Sequence, residues 1–296
     1  MSKFFLLFCL FSLLLSGCHS VPKDEIAARQ AFRKDLERHP EKATFYLGSQ
    51  DAEIRRYTLY LTAKQKGADA KVTYMTFLND NNEQVRMTAL MALMKFCKND
   101  ADVQEKLGDL AAKDKSRLVA KLAAEAAWPF HRKVLLLRND PNWDHEVQVV
   151  KRFQIPDDKW LFKLDPRGAG HTARFKWYVE KLDEADWTPI KLGEWENQGY
   201  NYDGYAWYRI RFTMPEKMEC NAVELAFTAV DESAWCWLNG VYLGAHDIGP
   251  AGWNTPFALD CRKEIRWGAD NVLVVRVLDT AMDGGIFKPL FVEILK

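Results

Sequence analysis

The chain joins two polymers of different composition, and tryptophan marks where one gives way to the other. All eleven tryptophans lie at or after Trp128, and residues 1–127 contain none. Glycine divides the same way: only Gly48, Gly67 and Gly108 lie between residues 21 and 127, against twelve from Gly168 to Gly285. Alanine runs in the opposite direction, with eighteen between Ala27 and Ala127. Alanine is the best helix former and glycine among the worst, whereas aromatic residues favour pleated sheet. The partition therefore points to an α part followed by a β part, with the boundary between residues 131 and 147. At 48% hydrophobic and 28% charged, the chain is globular in composition. Its 41 basic and 41 acidic side chains cancel, which argues against nucleic acid as a partner, since phosphate binding needs a cationic excess.

Residues 25–130 read as helical pairs. Turn residues (Pro40, Gly48, Gly67, Asn79 to Asn82, Asn99 and Gly108) separate segments of good helix formers. Val85, Ala89, Leu90, Ala92, Leu93 and Phe96 recur at helical spacing. A longer period is superimposed. Leu47 to Arg55 matches Leu78 to Arg86 at an offset of 31, and Ala111 to Val119 follows at 33. In each copy an apolar residue ends a helix and a polar turn offers an N-cap. An apolar residue then opens the next helix, followed by Arg in the first two copies. This pattern resembles HEAT-type repeats, which implies stacked helix pairs and a surface for a protein partner.

The N-terminus carries its own signal. After Lys3 an apolar run from Phe4 to Leu15 has the length of a signal-peptide core and is too short to span a bilayer. It ends Leu15-Ser16-Gly17-Cys18, which resembles the bacterial lipobox. That resemblance implies a signal peptide over 1–17, a lipidated Cys18, and a tether over 18–24. It also implies that the lipid bilayer is a partner and that the protein belongs to the cell envelope. His19, in place of an aspartate, directs the expectation to the outer membrane. Of the remaining cysteines, Cys220 and Cys261 flank expected strands and could pair, or could be small buried residues. No Cys-x-x-Cys or histidine spacing supports zinc, no glycine-rich loop supports a phosphate, and no cofactor is expected.

Residues 148–296 alternate apolar and polar over short runs: Tyr205 to Phe212, Ala222 to Ala229, Ser233 to Leu238, Asn271 to Leu278 and Leu290 to Leu295. Asn239-Gly240 is a hairpin signal. Strands without intervening helices call for an antiparallel β-sandwich or jelly roll. The order Trp160 to Pro166, Asp186-Trp187, Tyr202 to Arg209, Val230-Asp231, Trp237 to Gly240, Thr255 to Phe257 and Gly284 to Phe287 carries a resemblance. It is similar to the sugar-binding domain of family 2 glycoside hydrolases, the β-galactosidase and β-glucuronidase group. The resemblance implies a galactose-binding-like jelly roll.

The catalytic carboxylates of that family sit in a separate (β/α)₈ barrel of roughly 250 residues, for which this chain leaves no room, so no glycosidase activity is expected. Two readings remain. In the first, the jelly roll binds carbohydrate, with Trp195, Tyr200, Tyr202 and Trp253 offering rings to a pyranose and His246, Asp279 and Asp283 as polar partners. In the second, the chain is a scaffold lipoprotein that binds proteins and no sugar.

Overall fold

The computed structural model describes residues 23–130 and 148–296. The expected signal peptide, Cys18 and the linker over 131–147 lie outside the described residues, as does the tether up to residue 22. The chain divides into two compact units, Met1–Cys97 and Lys98–Lys296.

The first unit is helical: α1 (Lys23–Arg38), α2 (Ala43–Leu47), α3 (Ala52–Lys66), α4 (Lys71–Phe77) and α5 (Glu83–Phe96). The repeat turn builds the helix starts. Asp51 caps α3 by accepting from the Glu53 amide, and Asn82, 31 residues on, caps α5 by accepting from Gln84 and Val85. The arginine of each repeat reaches back over its own turn. Arg55 donates to the carbonyls of Ser49 and Gln50, and Arg86 donates to those of Asp80 and Asn81. These bonds occupy carbonyls in a turn that has no sheet or helix partner to offer. The predicted apolar face of α5 is buried at Val85, Ala89, Leu90, Ala92 and Leu93, while Phe96 is half-buried.

The second unit begins with α6 (Ala101–Lys113) and α7 (Arg117–Ala126), where Ser116 Oγ accepts from the Val119 amide. It continues as a sandwich. One sheet has four strands in the order β1 (Val149–Gln154), β12 (Leu290–Leu295), β6 (Ala222–Phe227), β9 (Phe257–Asp260). The other has six, in the order β3 (Thr188–Ile190), β2 (Trp160–Asp165), β5 (Gly204–Thr213), β10 (Asp270–Asp279), β7 (Ser233–Leu238), β8 (Val241–Asp247). A short ribbon pairs β4 (Gly193–Glu194) with β11 (Gly285–Ile286). All pairings are antiparallel. Asn239 and Gly240, at φ of +54° and +80°, make the expected tight turn between β7 and β8.

The period of two sorts the strands. Phe162, Tyr208, Ile210, Leu273, Val275 and Val277 face Val223, Leu225, Phe227, Val292 and Ile294 across the main core. The opposite face of the six-stranded sheet carries Trp187, Trp207, Trp237, Val272 and Val274, with Trp128, Phe130, Trp177 and Tyr242 packed over them. Tryptophan is concentrated here because one sheet is apolar on both faces.

The helical pattern read over 25–130 spans both units, which divide at Cys97. Helices α6 and α7 belong with the sandwich: His171 Nε2–H donates to the Ala124 carbonyl at 2.8 Å, and Arg174 pairs with Asp109 at 2.9 Å. Trp128 lies 6.0 Å from both Trp235 and Trp237. Cys220 and Cys261 are thiols and no disulfide joins them; Cys261 is buried as a small apolar residue. Among the described residues no helix is long and apolar enough to cross a membrane.

Candidate functional site

One end of the sandwich gathers carboxylates from two segments. The connection between β6 and β7 supplies Asp231 and Glu232, and the last residue of β10 is Asp279. Each offers an oxygen, and these oxygens lie within 4.8 Å of one another. All three residues are buried. The positions are set by backbone bonding. The Asp231 amide donates to the Gly285 carbonyl, and Asp279 Oδ1 accepts from the Ala281 amide at 2.8 Å. Thr280 Oγ1 donates to Glu232 Oε1 at 2.7 Å, tying the two loops together.

Glycines let the pieces approach. A Cβ on Gly284 would lie 2.4 Å from Trp195 Cε3 and 2.8 Å from Asp279 Oδ2. A Cβ on Gly252 would lie 2.2 Å from the Glu232 carbonyl oxygen. Glu196 completes the surround, its Oε2 accepting from the Gly284 amide at 3.2 Å.

The electrostatics are severe. Asp231 Oδ2 and Asp279 Oδ2 are buried with no hydrogen-bond partner among the described residues. Burial, then the neighbouring Asp279 charge, push the Asp231 carboxyl up to about 7. Burial pushes Asp279 up to about 6, against the opposing effect of the Ala281 amide.

The seven residues singled out from the sequence separate into groups. Asp279 is in the cluster. Trp253 is 56% exposed, on the turn Gly249–Asn254 whose Gly252 abuts Glu232. Asp283 is exposed on the loop between Asp279 and Gly284. Of the other four, Trp195 is a correction, and Tyr200, Tyr202 and His246 are partly buried and make structural contacts. Trp195 is fully buried under Gly284, with its indole N–H donating to the Tyr208 hydroxyl, and cannot stack on a sugar. The Tyr200 ring packs 4.8 Å from Phe162, and its hydroxyl bonds Thr188 Oγ1. Tyr202 is half-buried and bonds the Tyr205 carbonyl, with its hydroxyl pushed up to about 12 mainly by burial. His246 stacks face to face on Phe257 at 4.5 Å and braces β8 against β9. Its pKa is lowered chiefly by burial.

Asp231, Glu232 and Glu196 were not picked out as ligand residues. In sequence Val230-Asp231 carries part of the family resemblance but nothing marks it as a ligand, and only β10 ending beside it creates the cluster.

Residues 43–128 match the family model of HEAT repeats. Over 88 residues the chain is 28% identical to a protein named beta-glucuronidase from Formosa agariphila, covering 30% of this chain and 9% of that one. Among solved structures, it is similar to a glycosyl hydrolase family 2 member from Bacteroides cellulosilyticus, at 25% identity and a TM-score of 0.39. That likeness covers 49% of this chain and 21% of the other. A β-glucuronidase from Ruminococcus gnavus is similar at 16% identity and a TM-score of 0.43, over 50% and 30% of the respective chains. The chain thus spans less than a third of each of these proteins. Among the described residues there are helices and antiparallel sheets and no (β/α)₈ barrel. HEAT repeats over residues 43–128, and a likeness to family 2 glycoside hydrolases over about half the chain, are what these comparisons report.

Proposed function

We propose that the protein is a lipid-anchored, non-catalytic lipoprotein of the cell envelope whose sandwich binds carbohydrate. One observation carries the sugar reading. Trp253 stands exposed on a turn that is packed against the backbone of Glu232, and Asp283 stands exposed on the loop between Asp279 and Gly284. An indole face covers the apolar face of a pyranose, and an exposed carboxylate accepts from its hydroxyls. The acidic surround suits a neutral pyranose better than a uronic acid. The match to a protein named beta-glucuronidase supports a glycan ligand of some kind. The helical unit presents Phe45 and Val72, 78% and 79% exposed, as apolar contacts for a protein partner. The anchor rests on the pattern ending at Cys18.

A soluble form beginning at His19 tests the sugar reading on an array of plant, host and bacterial glycans. Binding that is lost in Trp253→Ala and kept in a Phe45→Ala control supports it. No binding to any glycan, with a protein partner retained through residues 25–130, replaces it with the scaffold reading. For the anchor, Cys18→Ala should move the protein from the membrane fraction to the soluble one.

A further inference from the structure

We infer that Asp231, Glu232 and Asp279 form a calcium site that clamps the β6–β7 connection to the end of β10. Three observations meet there. The candidate ligand atoms are all carboxylate oxygens, with no histidine or cysteine, which selects a hard cation over zinc or copper. The three oxygens lie within 4.8 Å of one another, close enough for one ion to touch all of them. Three protein carboxylates suit Ca²⁺, whereas Mg²⁺ keeps most of its waters and is usually held by one or two. Asp231 Oδ2 and Asp279 Oδ2 are both buried and lack any partner among the described residues. None of the three carboxylates pairs with a Lys, Arg or His among those residues. Buried like charges at this separation repel strongly, and a divalent cation removes that repulsion while filling the orphan positions.

The ion would complete what the Thr280–Glu232 hydrogen bond begins. Loop 280–284 and the turn bearing Trp253 both abut these residues, so calcium would order the rim on which the sugar reading depends. The site itself rests on the cluster and not on that reading.

The test uses the soluble chain from His19, stripped with EDTA and titrated with CaCl₂, MgCl₂ or TbCl₃. Calcium at about 100 times its dissociation constant should raise Tm by about 5–10 °C, with a smaller response to magnesium. Terbium should emit on indole excitation, because Trp195 and Asp279 Oδ2 both flank Gly284, and calcium should quench that emission by competition. Asp231→Asn and Asp279→Asn, which keep side-chain shape, should abolish both responses, and Asp283→Asn should keep them. In EDTA the two cluster variants should melt higher than the unsubstituted chain, because they relieve repulsion; a merely damaged fold would melt lower. A chain whose Tm ignores millimolar calcium and that sensitises no terbium overturns the site, as does calcium binding that survives Asp279→Asn. No sugar is present in this experiment, so its failure is separate from that of the carbohydrate reading.

Discussion

Arg167 Nη1 donates to the carbonyl of Asp114 at 3.0 Å, and so does for the third repeat turn what the first two repeats do for themselves. Arg55 bonds carbonyls five and six residues before it, and Arg86 does the same one period later. The third copy has Val119 at the equivalent position, and Asp114 lies five residues before it. The missing guanidinium is supplied by a loop of the sandwich. This substitution helps explain why α6 and α7 form a compact unit with the sheets.

Arg167→Ala should therefore loosen one turn without unfolding the unit. The expected loss is about 1 kcal/mol in urea denaturation, the usual worth of such a hydrogen bond. Amide exchange should quicken over residues 114–120 and stay unchanged at Val85 to Leu93. Equal protection in variant and parent would mean that the sandwich does not hold this turn.

His171 makes stability depend on pH. Burial first, and the Arg276 charge second, depress its pKa from 6.5 to about 3. The fold thus keeps the ring neutral while the unfolded chain takes up a proton near pH 6.5. The imidazole's contribution is complete above pH 6.5 and is lost as pH falls toward 3. By pH 5 the loss from this group is about 2 kcal/mol. Urea melts of the chain and of His171→Gln, each at pH 7 and pH 5, isolate it. The variant should lose less on acidification, and parallel losses would exclude His171 as the source.

Asp165 collects three buried donors at the end of β2. Its Oδ1 accepts from the Ala169 amide, and its Oδ2 accepts from the Gly170 amide and from Trp207 Nε1, all at 2.8–2.9 Å. Asp165→Ala strands all three and should cost about 3 kcal/mol or more. Asp165→Asn retains an acceptor oxygen and should cost clearly less. Denaturant midpoints for the two variants give the order.

Gly284→Ala should destabilise by about 1–3 kcal/mol, because its Cβ would enter the Trp195 ring. Indole emission should shift to the red as Trp195 is displaced. Gly199→Ala is the control for added bulk: a Cβ there meets nothing within 4 Å, although φ of +91° costs it some strain.

The fold was legible where a periodic pattern carries the signal. The apolar stripe of α5, helix caps within the polar repeat turns and the Asn239-Gly240 turn all appear where spacing placed them. Site residues were less legible. Trp195 and Tyr200 stand in loop-like sequence and still pack inward, because a loop that crosses the end of a sandwich has to cover it. Asp231 and Asp279 are 48 positions apart, and no local pattern relates them.

By itself the sequence determined that helices come first and strands second, since propensity, capping and period act over a few residues. Tertiary structure decided which helices belong to which unit, which aromatics remain exposed, and that three carboxylates share one end of the sandwich. Those outcomes depend on strand order and on close approaches at Gly252 and Gly284, which are long-range facts of packing that no window of sequence contains.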